Sequence, residues 1–120
     1  MPLISYAQQL SNLAAADPAH LAVTDPERTV TRAELESQAN RTAHALAAHG
    51  VVAGDVVTIG LPNSVEFLAT VFACWKLGAT PQPVSARLPR RELDAIIELA
   101  APRVVVSDPL PLGDDDAPLP

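Results

Sequence analysis

The sequence predicts an α/β fold: part of a doubly wound parallel sheet (β-α-β-α-β), preceded by a helix, a β-hairpin and a second helix. Short apolar runs with β-branched residues at Val56–Leu61, Thr80–Val84 and Arg103–Val106 alternate with helical patterns at Val65–Leu77 and Arg90–Ala100. The joins are short and carry turn formers: Pro62-Asn63-Ser64, Gly78 and Pro102. Strand, helix and strand in close succession make a parallel pair with a right-handed crossover, so two such units form half of a doubly wound sheet.

Each element has its own signal. Ser5 to Ala16 reads as a first helix with Tyr6, Leu10 and Leu13 on its inner side, stopped by Asp17-Pro18. The turn formers Asp25-Pro26-Glu27-Arg28 lie between Leu21-Ala22-Val23 and Thr29-Val30, which predicts a hairpin. Thr31 and Glu34 form a capping box opening the second helix. Its expected buried stripe is Leu35, Ala39, Thr42, Ala43, Leu46 and Ala47, with Glu36, Gln38, Asn40, Arg41 and His44 mostly off it. Asn63 is the expected cap of the third helix, with Glu66 completing a box and Gly78 ending it in a left-handed turn. That helix is apolar nearly all round, so it needs cover on more than one side. Pro89 suits the first position of the fourth helix, whose apolar face is Leu93, Ile96, Ile97 and Ala100. The domain division is therefore 1–107 for the packed part, and 108–120, rich in Pro and Asp, as a disordered tail or connector.

Composition narrows the function. A net charge of −6 argues against nucleic acid or an anionic membrane as the main partner. Aromatic content is only 3% against 48% hydrophobic, so the core must be built from Ala, Val, Leu and Ile. Cys74, the 1 cysteine, sits in the apolar helix and reads as a buried inert thiol. No apolar run is long enough to span a bilayer, and the N-terminus lacks a basic region followed by an apolar core, so the expected location is cytoplasmic.

Motifs for chemistry are sparse. Neither G-x-G-x-x-G nor G-x-x-x-x-G-K-[ST] occurs, nor a G-x-S-x-G elbow. His44 and His49 are poorly spaced to share a metal, and no cysteine pair accompanies them, so no metal site is expected. No catalytic residue is assigned. One local run stands out: Arg87, Arg90 and Arg91 are three of the 8 basic residues and crowd the start of a helix. A helix N-terminus disfavours cations unless an anion is expected there, and its free N–H groups together with arginines suit a phosphate. The loop also lies at the carboxyl end of a parallel strand, where open α/β sheets bind ligands. The alternative is a solvated basic turn neutralised by Glu92 and Asp94.

A set of ordered stretches carries a family resemblance. They are Thr29–Leu35, Asn40-Arg41 to Gly50, Gly54–Val57, Leu61–Phe67, Leu77-Gly78-Ala79, Pro83-Val84 and Glu92-Leu93. In order and spacing the chain resembles the N-terminal part of the adenylate-forming, AMP-binding acyl-CoA synthetases, relatives of peptide-synthetase adenylation domains and luciferases. The run GATPQPVSARLP is similar to the branch that handles bile acids and other steroid-like acids.

The resemblance implies ATP-dependent carboxylic acid–CoA ligase chemistry. ATP with Mg2+ and a carboxylate give an acyl-adenylate and pyrophosphate, and the thiol of coenzyme A then takes the acyl group. In some members the loop matching Ser85, Ala86 and Arg87 runs beside the ADP part of coenzyme A, which agrees with the phosphate site read above at Arg87, Arg90 and Arg91 and makes these five residues the expected coenzyme A phosphate site. The family's Ser/Thr/Gly-rich loop ending in Pro-Lys-Gly, its ribose-holding aspartate and its catalytic lysine have no counterpart in these residues. The expectation is an N-terminal fragment, inactive and cofactor-free alone, whose partners are the remainder of the ligase chain and a small carboxylic acid. The alternative is a free-standing, non-catalytic α/β module that pairs with a partner chain.

Overall fold

A computed structural model describes residues 5–119. Its elements run α1 (Tyr6–Ala16), β1 (Leu21–Thr24), β2 (Thr29–Thr31), α2 (Arg32–Ala48), β3 (Val56–Ile59), α3 (Val65–Leu77), β4 (Thr80–Pro83), α4 (Arg90–Ala100) and β5 (Val104–Val106). Strands β1 and β2 make an antiparallel pair, and the second sheet has the order β4-β3-β5, parallel throughout. This is the expected β-α-β-α-β core behind a helix, a hairpin and a helix.

Strand β3 is central because Val57 and Ile59 point one way into the core and are fully buried, as is Thr58 on the opposite face. Moving from β3 to β4, then back across β3 to β5, reverses direction, so right-handed crossovers put α3 and α4 on opposite faces. Strand β4 is an edge suited to its prolines. Thr80 and Val84 donate their N–H groups to Asp55 and Ile59, so the alternate positions, Pro81 and Pro83, stand where an N–H would point away from the sheet.

Helix α3 joins two apolar clusters. Val71, Ala73 and Cys74 pack with Leu46, Val57, Ile59 and Val106, while Val65 and Ala69 pack with Leu10, Val30, Leu35 and Ala39. The chain itself therefore supplies cover from α1, α2 and β3. Burial pushes the Cys74 thiol up to about 12, which keeps it protonated and unreactive. Gly78 closes α3 at φ 75, and Ala79 N–H reaches back to the Cys74 carbonyl at 2.8 Å. Helix α4 ends less easily, on Ala101 at φ 47, the one non-glycine in the left-handed region among the described residues.

Local details depart from the sequence reading. Ser64, not Asn63, caps α3 by accepting from Phe67 N–H, which moves Glu66 to the second helical position, too early for a capping box. In α1 the buried residues are Ala7, Leu10 and Ala14, while Tyr6 and Leu13 are exposed. Ala7 and Ala14 let α1 lie closer to its neighbours than the larger residues would. In α2 Ala47 is exposed, and Gln38 and Asn40 are buried because each has a tertiary partner: Arg28 Nη2 donates to Gln38 Oε1, and Asn40 Nδ2 donates to the Asp116 carbonyl.

Residues 107–119 form no helix or strand but do not stand clear of the domain. Ser37 Oγ donates to Asp116 Oδ2 at 2.9 Å, His44 Nε2 lies 3.0 Å from the Ala117 carbonyl, and Leu110 and Leu119 pack against the larger cluster. No helix among the described residues is long and apolar enough to cross a membrane. Leu46 is fully buried where α2 meets α3 and β3. Leu46→Ala should cost about 2–5 kcal/mol, the range for truncating a buried leucine in a core that cannot collapse, measured by urea denaturation of the chain.

Candidate functional site

The carboxyl ends of β3, β4 and β5 lie side by side, tied across the sheet just beyond the strands. Gly60 N–H donates to the Val106 carbonyl at 2.8 Å, and Val84 N–H donates to Ile59 at 2.9 Å. Three loops leave this edge: residues 60–64 toward α3, 84–89 toward α4, and the segment after Val106. All five sequence-predicted site residues fall on the second of them or on the first turn of α4.

The loop from Ser85 to Pro89 is shaped by its own backbone. Leu88 N–H donates to the Ser85 carbonyl at 3.1 Å, and Ser85 Oγ accepts from Arg87 N–H at 3.2 Å. Leu88 is half-buried and anchors the turn, while Ser85, Ala86 and Arg87 are exposed. Pro89 occupies the N-cap position at φ −58 and ψ 147 and has no side-chain acceptor to offer. The first intrahelical bond shown is from Leu93 N–H to the Pro89 carbonyl, so the N–H groups of Arg90, Arg91 and Glu92 take no partner among the described residues.

The arginines differ. Arg90 Nε donates to Asp94 Oδ1 at 3.0 Å, an exposed i,i+4 pair that contributes little to stability. Arg87 and Arg91 make no ion pair among the described residues. Open N–H groups beside two unengaged guanidinium groups can receive an anion through charge-assisted hydrogen bonds. The described residues hold no group of three or more His, Cys, Asp or Glu gathered for a metal.

Two polar clusters escaped the sequence reading, since each joins residues far apart in the chain. Asp25 lies in the hairpin turn. Its Oδ1 accepts from Glu27 and Arg28 N–H, and its Oδ2 accepts from Val65 N–H at the start of α3, 40 residues away. Those backbone donors, Val65 first, hold its carboxyl below the usual aspartate value. Lys76 on α3 pairs with Glu36 on α2 and donates to Ser11 Oγ on α1 at 3.2 Å. Capping and charge patterns within a short window carry no signal for either.

Comparison with known proteins places this architecture. A family model described as AMP-binding enzyme matches residues 10–118. The long-chain-fatty-acid–CoA ligase FadD13 of Mycobacterium tuberculosis (strain H37Rv) is 35% identical over 99 residues, 81% of this chain and 20% of that protein. CymA of Salinispora arenicola, described as a probable non-canonical nonribosomal peptide synthetase, is 39% identical over 101 residues, 84% of this chain and 1% of that protein. The inhibitor-bound crystal structure of the N-terminal domain of FACL13 from Mycobacterium tuberculosis superposes with a TM-score of 0.82 at 32% identity, over 86% of this chain and 26% of that one. The chain thus spans a fifth or less of these curated relatives' length. With the family match running from α1 to the end of the tail, the chain belongs to the AMP-binding enzyme family, as a part of its N-terminal α/β region.

Proposed function

We propose that this chain is the N-terminal part of an ATP-dependent carboxylic acid–CoA ligase, and that it contributes a binding surface for an anionic part of coenzyme A. The observation that carries the reading is the uncapped start of α4, with Arg87 and Arg91 unengaged, at the carboxyl edge of the parallel sheet. A phosphate there would complete N–H groups that have no other partner and would offset the charge of the arginines. Coenzyme A supplies the thiol that takes the acyl group. The role of this chain's residues is to bind and orient, with Arg87, Arg91 and the α4 N–H groups on the phosphate, and Ser85 and Ala86 shaping the loop beside it.

Adenylation is the task of other residues. The sequence contains no Gly-rich phosphate loop and no counterpart of the family's catalytic lysine. The chain alone is therefore proposed to be inactive, with the remainder of a ligase chain as its partner. The acid belongs, on our reading, to the large apolar carboxylic acids. The run GATPQPVSARLP supports a steroid-acid branch, and the fatty-acid ligase named above supports a long apolar acid more generally. A carrier-protein thiol in place of coenzyme A is the second reading, favoured by the likeness to CymA.

Two outcomes are expected. Incubated with ATP, a panel of carboxylic acids and labelled pyrophosphate, the chain alone should give no exchange above a buffer blank, because the electrostatic groups that dominate such a reaction are absent. Clear exchange would contradict the proposal. In a full-length ligase carrying this segment, Arg87→Ala should raise KM for coenzyme A by about tenfold or more, as expected from losing one charge-assisted contact of about 1.5–3 kcal/mol. Its adenylation half-reaction should hardly change. Equal damage to both half-reactions would make the arginine structural, and an unchanged KM for coenzyme A would make the loop a solvated turn.

A further inference from the structure

We propose that the outer edge of β5 is a docking site for one further strand, supplied from outside these residues by the same ligase polypeptide. The proposal rests on the reading of the chain as part of a longer ligase.

The two edges of the parallel sheet are built differently. On β4 the positions facing away from β3 are Pro81 and Pro83, which have no N–H to offer a neighbour. Thr80 and Pro83 are also exposed, so β4 has the marks of a closed edge. On β5 the bonds to β3 fall at either end: Arg103 N–H donates to the Val56 carbonyl, and the Val106 carbonyl accepts from Gly60 N–H, both at 2.8 Å. Backbone polar groups alternate sides along a strand. With Val106 turned toward β3, the N–H and C=O of Val105 point outward. No loop or tail group among the described residues hydrogen-bonds them.

The side chains agree with an interior place for β5. Val104 and Val106 stand in register with Val57 and Ile59 and pack in the larger cluster, while Val105 is half-buried on the other face, in register with Thr58. A strand that is apolar on both faces suits the middle of a sheet, with a neighbour on each side. Helix α4, on the Val105 face, has no buried residue. Leu93, Ile96, Ile97 and Ala100 are only half-buried, and Leu99 is 88% exposed. A strand outside β5 widens the sheet on which this helix lies.

The size of the edge selects the occupant. Val105 offers one donor and one acceptor, too little to offset the lost freedom of a second molecule, so another copy of this chain or a separate peptide is disfavoured. A strand tethered in the same polypeptide is held at high effective concentration and is spared most of that loss. The likeness to a longer solved chain, of which this fold covers 26%, supports such a source.

Amide hydrogen exchange reads the edge directly. In a full-length ligase carrying this segment, exchange at Val105 should be slowed on the order of a hundredfold against an unstructured peptide, as at Gly60, whose N–H is bonded within the sheet. In the chain alone Gly60 should stay protected and Val105 should exchange freely. Val105→Pro removes the outward donor, so it should speed exchange at Gly60 about threefold or more in the full-length protein and leave it unchanged in the chain alone. Fast exchange at Val105 in the full-length protein overturns the proposal, as does an equal effect of Val105→Pro in both. Slow exchange at Val105 in the chain alone also overturns it: protection rising with concentration assigns the edge to a second copy, and protection independent of concentration assigns it to the chain's own tail. The readout needs no catalysis. A full-length protein with Val105 protected but no ligase activity would count against the ligase reading and still support the strand.

Discussion

One carboxylate, that of Asp25, ties the hairpin to the rest of the molecule. Its backbone N–H donates to the Arg28 carbonyl to close the turn, one side-chain oxygen takes the next two N–H groups, and the other reaches the first N–H of α3. Arg28, held in that turn, extends to Gln38 on α2 and Glu66 on α3. A tight turn of low-propensity residues thereby becomes a three-way joint between β1–β2, α2 and α3. The consequence reaches the sheet edge. Where α3 starts sets the path of residues 60–64, and Gly60 packs beside Val84 and Val106, at the root of the loop that carries Arg87.

The order of elements was legible because it rests on short-range patterning. Apolar runs of β-branched residues and helix stop signals lie within a few residues of the structure they specify. Helix α4 has the predicted bounds, with Leu93, Ile96, Ile97 and Ala100 half-buried and the rest of the helix exposed. The cap of α3 was harder to place. Asn63 and Ser64 are both good caps, and the choice falls to Ser64 because Asp25 already satisfies Val65 N–H and Ser64 Oγ reaches Phe67 N–H. The burial of Gln38 and Asn40 was illegible for a similar reason. Polar residues in mid-helix look solvated until the distant groups that satisfy them, Arg28 and the Asp116 carbonyl, are in place.

The clustering of Arg87, Arg90 and Arg91 is legible because it is local, within one loop and one helical turn, whereas Pro89, expected at the first helical position, stands instead at the N-cap. The pairing of Lys76 with Glu36 is not legible, since it spans α2 and α3. Removing either partner would leave a mostly buried charge alone, which is far costlier than the net stabilisation the intact pair contributes. Family membership fixes what kind of chain this is.

The claim that Asp25 joins the hairpin to α3 is tested most directly by stability as a function of pH. Its carboxyl is held below the ordinary value of 3.8, so the folded chain favours the ionised form. The stabilisation is then fully present above that value and is lost as pH falls through the lower folded-state value. Denaturation of the chain and of Asp25→Asn between pH 7 and pH 2 should show the variant less stable at pH 7, with the two curves converging at the acid end. Equal stabilities at pH 7, or a gap that persists unchanged at the acid end, would contradict the account.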